Sequence, residues 1–206
     1  MSPFKKLALP VVLFAFASAA ACSDEEASDV TDITTPGAET PAPLCPAADA
    51  PPPALNDAQL IRLAIVANEG EIQAGQLAVS KASTEDARSY GETMVTEHTA
   101  ANTRLTALAT QLGLTPAESP LSAQLKADAT QIASFLNPLA GPKFDVSYLD
   151  SQIMAHSKLL FILDGALLGT AQNAELDAEL VTLRATSQEH VTHATELQAT
   201  LAPDAP

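Results

Sequence analysis

The stretch EDARSYGETMVTEHTAANTRLTALATQL, residues 85–112, decides the fold of this 206-residue chain. Small and apolar side chains recur in it every three or four residues, as on one face of an α-helix. His98 interrupts that face near its middle. The stretch therefore predicts a long helix that carries one ionisable residue into a core. The small and apolar positions around it are Ala87, Gly91, Met94, Ala101, Leu105, Leu108 and Leu112.

Three other segments repeat this arrangement, with Glu71, His156 and His190 in the middle of stripes rich in Leu and Ala. Strand signals are nearly absent, so the sequence predicts an all-α fold, an antiparallel four-helix bundle with one additional short helix. If the helices alternate in direction, the middle residues meet at one level of the bundle. The helices are predicted at about 57–81, 84–112, 121–136 (the short one), 144–168 and 173–201.

One carboxylate and three imidazoles at one level form a candidate metal site. The predicted ligands are Glu71, His98, His156 and His190, and they suit one Zn, Fe, Mn or Cu ion. An alternative is a buried polar cluster in which Glu71 accepts hydrogen bonds from the histidines and sets the helix register. A third interpretation is that one or more of the four side chains face solvent.

Several neighbouring residues could extend this site. His193 could add or replace a ligand, or lie at the edge of the helix interface. Met94 could ligate, although a Met in an apolar stripe is typical of core packing. Asn102 could hydrogen-bond to His98 or simply bridge two helices. Glu97 and Glu189 adjoin histidines, but neighbours in sequence point about 100° apart around a helix, so both are predicted outside the core.

Asp145 and Tyr148 stand at the beginning of the helix predicted at 144–168. The interpretation is that both anchor this helix, with the Asp145 carboxylate interacting with the free amides of its first turn.

The N-terminus is predicted to be an export signal, residues 1–22, with Lys5 and Lys6 before an apolar run. Its end, AAAC at 19–22, resembles a bacterial lipobox, in which Cys22 would be lipidated. Ordinary cleavage within the alanine run is the alternative. With Ser23 next, a lipoprotein of this type is expected on the periplasmic side of the outer membrane, attached through its lipid anchor. Without lipidation the protein is expected to be periplasmic or secreted.

Residues 23–56 contain seven prolines and seven acidic residues and no Lys or Arg, which predicts a disordered tether before a helical domain at 57–202. The second cysteine, Cys45, lies in this tether. If Cys22 is acylated, Cys45 is a free thiol or forms an intermolecular bridge. If Cys22 is unmodified, the two cysteines could pair.

The formal net charge of −15 makes nucleic acid an unlikely partner. No pattern indicates a nucleophile with its base, a phosphate loop or a nucleotide fingerprint, so no enzymatic activity is predicted. The sequence instead predicts an exported cell-envelope helical bundle with a candidate mononuclear metal site. The alternative is a non-catalytic envelope protein that uses its helical surface to bind an unidentified protein partner.

The folded part resembles the bacterial domain of unknown function 4142, whose members are often labelled as outer membrane proteins. The most specific piece is the run from Met94 to Leu105. The resemblance implies a ferritin-like bundle and a place in the envelope, and it implies no common activity. The other residues that carry it are Glu71, Gly75, Leu77, Ala78, Lys81, Ala82, Gly113, Phe144, Asp145, Tyr148, His156, Leu160, Phe161 and His190.

Ferritin-like di-iron proteins place a Glu three residues before each ligating His on two helices. Here Val95, Ile153 and Ser187 stand three residues before the three stripe histidines. The sequence therefore argues against a carboxylate-rich di-iron centre.

Overall fold

The computed structural model describes residues 54–201, and all regular structure among them is helical. The all-α prediction is confirmed, and each helix was anticipated within a few residues of its ends. A π-helical turn, Leu163–Leu167, continues the fourth helix. The predicted signal, Cys22, Cys45 and all but the last residues of the predicted tether lie outside the described residues. The five α-helices are α1 (Asp57–Lys81), α2 (Glu85–Gln111), α3 (Pro120–Leu136), α4 (Pro142–Ile162) and α5 (Ala174–Leu201).

Side chains cap the beginnings of most helices. Asn56 and Gln59 form a reciprocal capping box at α1, with side chain to backbone distances of 3.0 and 3.2 Å. Thr84 accepts a hydrogen bond from the first turn of α2, and Asn173 caps α5. These caps satisfy amides that have no partner within the helix.

The helix α4 begins two residues earlier than predicted. Gly141 has a φ of +61°, and Pro142 then takes the first helical position. Proline fits there because its missing N–H would have had no partner in the helix. The Gly-Pro pair therefore starts α4.

The two main helix pairs are antiparallel. In the α1–α2 pair, Asn68 contacts His98 while Gly75 packs against Gly91. A Cβ on Gly91 would lie 2.7 Å from the Cβ of Ala78, so the two helices approach each other closely there. In the α4–α5 pair, Asp164 just after α4 bonds to Arg184 in the first half of α5, and Gln198 near the end of α5 bonds to Asp150 in the first half of α4.

The helices α2 and α4 run in the same direction, because Asp145 near the start of α4 bonds to residues 83 and 84 before α2. The helix α3, which lies between α2 and α4 in the sequence, runs parallel to α1. Ala117 bonds to Ala58 at one end of this pair, and Lys81 bonds to Leu136 at the other end. Consecutive helices therefore alternate in direction along the chain. Because α3 stands between them in this order, the long helices α2 and α4 are parallel to each other.

Among the described residues, no helix is both long and apolar enough to cross a membrane.

The core has two apolar parts, with buried polar side chains between them on each long helix. The leucine cluster contains Leu60, Ile61, Leu63, Ala64, Leu105, Leu108, Ala109, Leu159, Ile162, Leu163, Leu167, Leu176, Leu180 and Leu183. The alanine–aromatic cluster contains Ala74, Ala78, Ala82, Ala87, Tyr90, Met94, Leu136, Phe144, Tyr148, Leu149 and Ala194.

Candidate metal centre

Three histidines from three different helices meet between the two apolar clusters. His98, His156 and His190 are each at most 4% exposed. The Nε2 atoms of His98 and His156 are 3.4 Å apart, and Nε2 of His156 is 3.1 Å from Nδ1 of His190. One ring nitrogen from each histidine lies within 4.8 Å of the other two. We call these three atoms the inner nitrogens.

The other ring nitrogen of each histidine faces an oxygen. For His98 this is Oδ1 of Asn68 at 2.8 Å, and for His156 it is the backbone carbonyl of Gln152 at 3.0 Å. For His190 it is Oε2 of Glu97 at 2.9 Å. A carbonyl or carboxylate oxygen only accepts hydrogen bonds, so each outer nitrogen donates. In the neutral rings the three inner nitrogens then carry lone pairs.

A chain of amides sets the orientation at His98. Nδ2 of Asn102 donates to the backbone carbonyl of Ile65, and Nδ2 of Asn68 donates to Oδ1 of Asn102 at 2.8 Å. Oδ1 of Asn68 therefore remains to accept from His98. Asn102 therefore bridges α2 to α1, the second of the two interpretations, and it reaches His98 only through Asn68. The sequence interpretation missed Asn68, although its place three residues before Glu71 puts it on the same face.

Burial keeps two of the imidazoles neutral. Burial, followed by the nearby His156 and His190, holds the pKa of His98 well below its usual value. Burial and His156 also lower the pKa of His190, although Glu97 opposes the shift. Neutral imidazole is the form that binds metal ions. A cation among the inner nitrogens, either a metal ion or a shared proton, would remove the repulsion between their lone pairs.

Two of the three separations between the inner nitrogens fit a tetrahedral metal ion. With metal–nitrogen bonds of about 2.0 to 2.1 Å, two tetrahedral ligands stand about 3.3 to 3.4 Å apart. Two of the three separations here, 3.1 and 3.4 Å, are close to that value, and the third is within 4.8 Å. Hydrogen bonds from the outer nitrogens to a carboxylate, a backbone carbonyl and an amide are also the usual way to orient metal-binding histidines.

Glu71 does not join the inner nitrogens. It is buried, at 8% exposure, but its Oε1 lies 3.9 Å from Nδ1 of His156, which is the outer nitrogen. The predicted four-residue ligand set therefore becomes three histidines, because α1 places Glu71 beside the outer edge of the His156 ring. The alternative, in which Glu71 accepts hydrogen bonds from the histidines, is not seen either, because Nδ1 of His156 donates to the backbone carbonyl of Gln152.

Glu97 has a role that the sequence interpretation missed. It lies outside the core as predicted, with 49% of its side chain exposed, yet it reaches His190 across the α2–α5 interface. Glu97 points about 100° around the helix from His98, and this angle turns it toward α5. The angle was the feature of the sequence that could have indicated its contact with His190. Glu189 is exposed, as predicted.

His193 and Met94 lie beside the centre. His193 is exposed, and its ring contacts the edge of Tyr90 with centroids 5.3 Å apart. Met94 is fully buried in the alanine–aromatic cluster, as the core-packing interpretation predicted.

Asp145 stabilises a different helix from the one expected. Its carboxylate accepts hydrogen bonds from the backbone amides of Ser83 and Thr84, both at 2.9 Å, and from the Ser83 hydroxyl at 2.6 Å. Burial raises the pKa of Asp145, but these hydrogen bonds outweigh burial and the net pKa is below its usual value. Asp145 therefore fixes the beginning of α2, whereas the sequence interpretation assigned it to the first turn of α4.

Three buried polar atoms on the α1–α4 side make no hydrogen bond to any described residue. They are Oε2 of Glu71, the hydroxyl of Tyr148 and Oε1 of Gln152. Burial also raises the pKa of Tyr148 well above its usual value, so this hydroxyl keeps its proton. The core beside His156 is thus polar, and it contains one carboxylate near the histidines.

Comparison with known proteins supports the fold and the family. A crystal structure of a DUF305 protein from Streptomyces coelicolor is similar, with a TM-score of 0.58 and 12% identity over 70% of this chain and 93% of that one. At this identity the likeness concerns the helical fold alone. No curated protein matches the chain. The model of the family described as "Domain of unknown function (DUF4142)" matches residues 42–197, so the chain belongs to the DUF4142 family.

Proposed function

We propose that this protein binds one divalent transition-metal ion between His98, His156 and His190. One observation carries the proposal: all three outer nitrogens donate to oxygen atoms, which leaves three inner nitrogens aimed at a common centre. The ion would take these nitrogens as ligands and have a fourth position for water or another small ligand.

Zinc or copper suits this ligand set best. Three neutral imidazoles offer borderline nitrogen donors, which favour Cu and Zn, whereas Mn prefers carboxylate and water oxygens. Of the ions considered from the sequence, Zn, Fe, Mn and Cu, we therefore expect the strongest binding for Cu and Zn. The ligand set assigns no reaction.

Two carboxylates can balance the charge of the ion. Oε2 of Glu97 accepts a hydrogen bond from Nε2 of His190, and Oε1 of Glu71 lies 3.9 Å from Nδ1 of His156. A dication surrounded by three neutral ligands is costly to bury without such compensation. In this proposal Glu71 supports the centre electrostatically through His156 and is not itself a ligand.

The architecture proposed for the centre is a ferritin-like antiparallel four-helix bundle formed by α1, α2, α4 and α5. The position of α3 supports it, because ferritin-like bundles contain one long crossover connection. The three histidines would then project from three of the four helices into the bundle core. This centre differs from a di-iron centre in having no carboxylate among the inner ligand atoms.

The proposal also places the protein in the cell envelope, anchored through a lipid on Cys22. The apolar run after Lys6 and the AAAC sequence at 19–22 support this. Growth with an alkyne-labelled palmitate should label the full chain and not its Cys22→Ala variant. Equal labelling of both, or of neither, would contradict the lipid anchor.

A shared proton is the competing occupant of the centre. The 3.1 Å separation between His156 and His190 also fits a hydrogen bond between two imidazoles. The cluster would then be a buried polar lock in a non-catalytic envelope protein that binds a partner through its surface.

Metal analysis separates these two functions. The purified protein is dialysed against Zn²⁺ or Cu²⁺ and then against metal-free buffer, and the bound metal is measured by mass spectrometry. We expect one ion per chain, and a loss of at least tenfold in affinity for His98→Gln and for His156→Gln. His193→Gln, which changes an exposed histidine of α5, is the matched control. Retention of no metal by the unaltered protein would refute the proposal and leave the polar lock.

A further inference from the structure

A cleft of about 290 Å³ lies beside the histidines, between α2 and α5. Its inner end is formed by Asn68 and His98, which are buried. Its outer part includes Glu97, Arg104 and Glu179, whose side chains are 49%, 48% and 23% exposed. The cleft therefore leads from the surface to the shell of the three-histidine centre.

The opposite side of the centre is closed. His156 and Tyr148 on α4 have no exposed surface, and Tyr90 is 1% exposed. A hydrated ion approaching from that side would have to separate tightly packed aromatic rings. Packed interiors resist such openings, so the cleft is the easier way in.

The charges along the cleft favour a cation. Glu97 and Glu179 each contribute a negative charge, and Arg104 contributes one positive charge 3.0 Å from Glu179. The cleft is thus net negative, in a chain whose formal net charge is −15. A negative cleft with apolar walls raises the local concentration of cations and speeds their association.

We propose that this cleft is the route by which a divalent metal ion reaches the histidines. Glu97 connects the cleft with the three-histidine centre, because it lines the cleft and its Oε2 accepts a hydrogen bond from Nε2 of His190. The ion meets the Glu97 carboxylate first and then the inner nitrogens. Arg104 reduces the attraction by pairing with Glu179. This inference rests on the proposed metal binding, and it concerns the rate of loading, whereas that proposal concerns binding at equilibrium.

The Arg104–Glu179 pair allows a test in which one ion pair is broken in two ways. Arg104→Gln makes the cleft more negative, and Glu179→Gln makes it neutral. If the pair matters only for structure, both variants change the loading rate in the same direction. If the cleft guides cations, the two rates change in opposite directions.

The loading rate is measured by mixing the full chain with excess Co²⁺ and following the visible absorption of the bound ion. At low ionic strength we expect Arg104→Gln to load about two to five times faster than the unaltered protein and Glu179→Gln about two to five times slower. Both differences in loading rate should shrink in 0.5 M salt, because charges are screened there over about 4 Å. The final absorption should be the same in all three proteins.

A second variant tests the cleft by its width. Ala101 lines the cleft, and Ala101→Leu should slow association and dissociation by a similar factor, because it raises the barrier between two unchanged states. Ala127→Leu, at an exposed position on α3, is the control. Rates that move together in the two ion-pair variants, or an unchanged rate in Ala101→Leu, would overturn the route while leaving metal binding intact. Absence of Co²⁺ binding at equilibrium would overturn both proposals.

Discussion

The two halves of the core solve the packing problem in opposite ways. The leucine cluster fills its space with large aliphatic side chains, whereas the alanine–aromatic cluster brings α1 and α2 together over Gly75 and Gly91. The second half also takes up the polar groups, since Glu71 and Tyr148 lie on its side of the histidines. One half of the core therefore depends on side-chain volume, and the other depends on close helix approach and on polar contacts.

The two halves should respond in opposite ways to substitutions, since one should be destabilised most by lost side-chain volume and the other by added volume. In the leucine cluster, Leu180→Ala removes volume from a fully buried position and should lower the free energy of unfolding by about 2 to 5 kcal/mol. In the other half the damaging change is an addition, because a Cβ at Gly91 would lie 2.9 Å from the carbonyl oxygen of Gly75. Gly91→Ala should cost about 1 to 3 kcal/mol.

Urea denaturation of each variant measures these costs. Gly165→Ala is the matched control, because a Cβ there meets nothing within 4 Å. The distinction between the halves would be lost if Gly91→Ala were as harmless as Gly165→Ala.

The hydrogen bonds of Asp145 are the polar contacts at the end of the alanine–aromatic half. Asp145→Asn keeps the shape of the side chain but weakens its bonds to the amides of residues 83 and 84. Loss of the charge should lower the free energy of unfolding by about 1 to 3 kcal/mol. Thermal unfolding checks this, with the exposed Glu92→Gln on α2 as control. Equal melting temperatures for the two variants would contradict the role assigned to Asp145.

Much of this organisation could be predicted from the sequence. The stripes on α1, α2, α4 and α5 predicted the helices, because helical periodicity determines which residues share a face. The meeting of His98, His156 and His190 followed from their places near the middles of three packed helices. The partners of the outer nitrogens could not be predicted in this way. Glu97 reaches His190 only because of how α2 packs against α5, and the backbone oxygen of Gln152 leaves no trace in residue type.

Two carboxylates contact neighbours that the sequence did not predict, for the same reason. Glu71 and Asp145 were each placed correctly on their helices, but periodicity does not tell which neighbour a side chain reaches. Glu71 faces the outer nitrogen of His156, and Asp145 turns to α2. The positions of these contacts depend on crossing angles and on the α3 connection.

The histidine layer between the halves should make stability depend on pH. The pKa of His98 and of His190 is lowered by folding, so the unfolded chain binds more protons below about pH 6.5. The free energy of unfolding of the metal-free protein should therefore be highest above that pH and fall as the pH drops through the range below it. Urea denaturation at pH 7.5, 6.5 and 5.5 measures the slope.

Substitution identifies the source of that slope. His98→Gln should flatten it, and His193→Gln, at an exposed position, should leave it as in the unaltered protein. Higher stability at pH 5.5 than at pH 7.5, or equal slopes in the two variants, would show that the buried histidines are not its cause.

The smallest expected effect separates a ligand from a charged neighbour. Glu71→Gln should keep one metal ion per chain and weaken its affinity by about two to ten times, because the carboxylate acts on the ion only through His156. Competition with a chelator measures the affinity. Loss of the ion altogether would return Glu71 to the ligand set predicted from the sequence.

X-ray absorption at the zinc edge of the Zn²⁺-loaded protein counts and identifies the ligands of the ion. We predict three imidazole nitrogens at about 2.0 to 2.1 Å, together with one further light atom. The His156→Gln variant should lose this signature, and His193→Gln should keep it. A spectrum with oxygen ligands alone, or with fewer than two imidazoles, would contradict a metal centre at His98, His156 and His190.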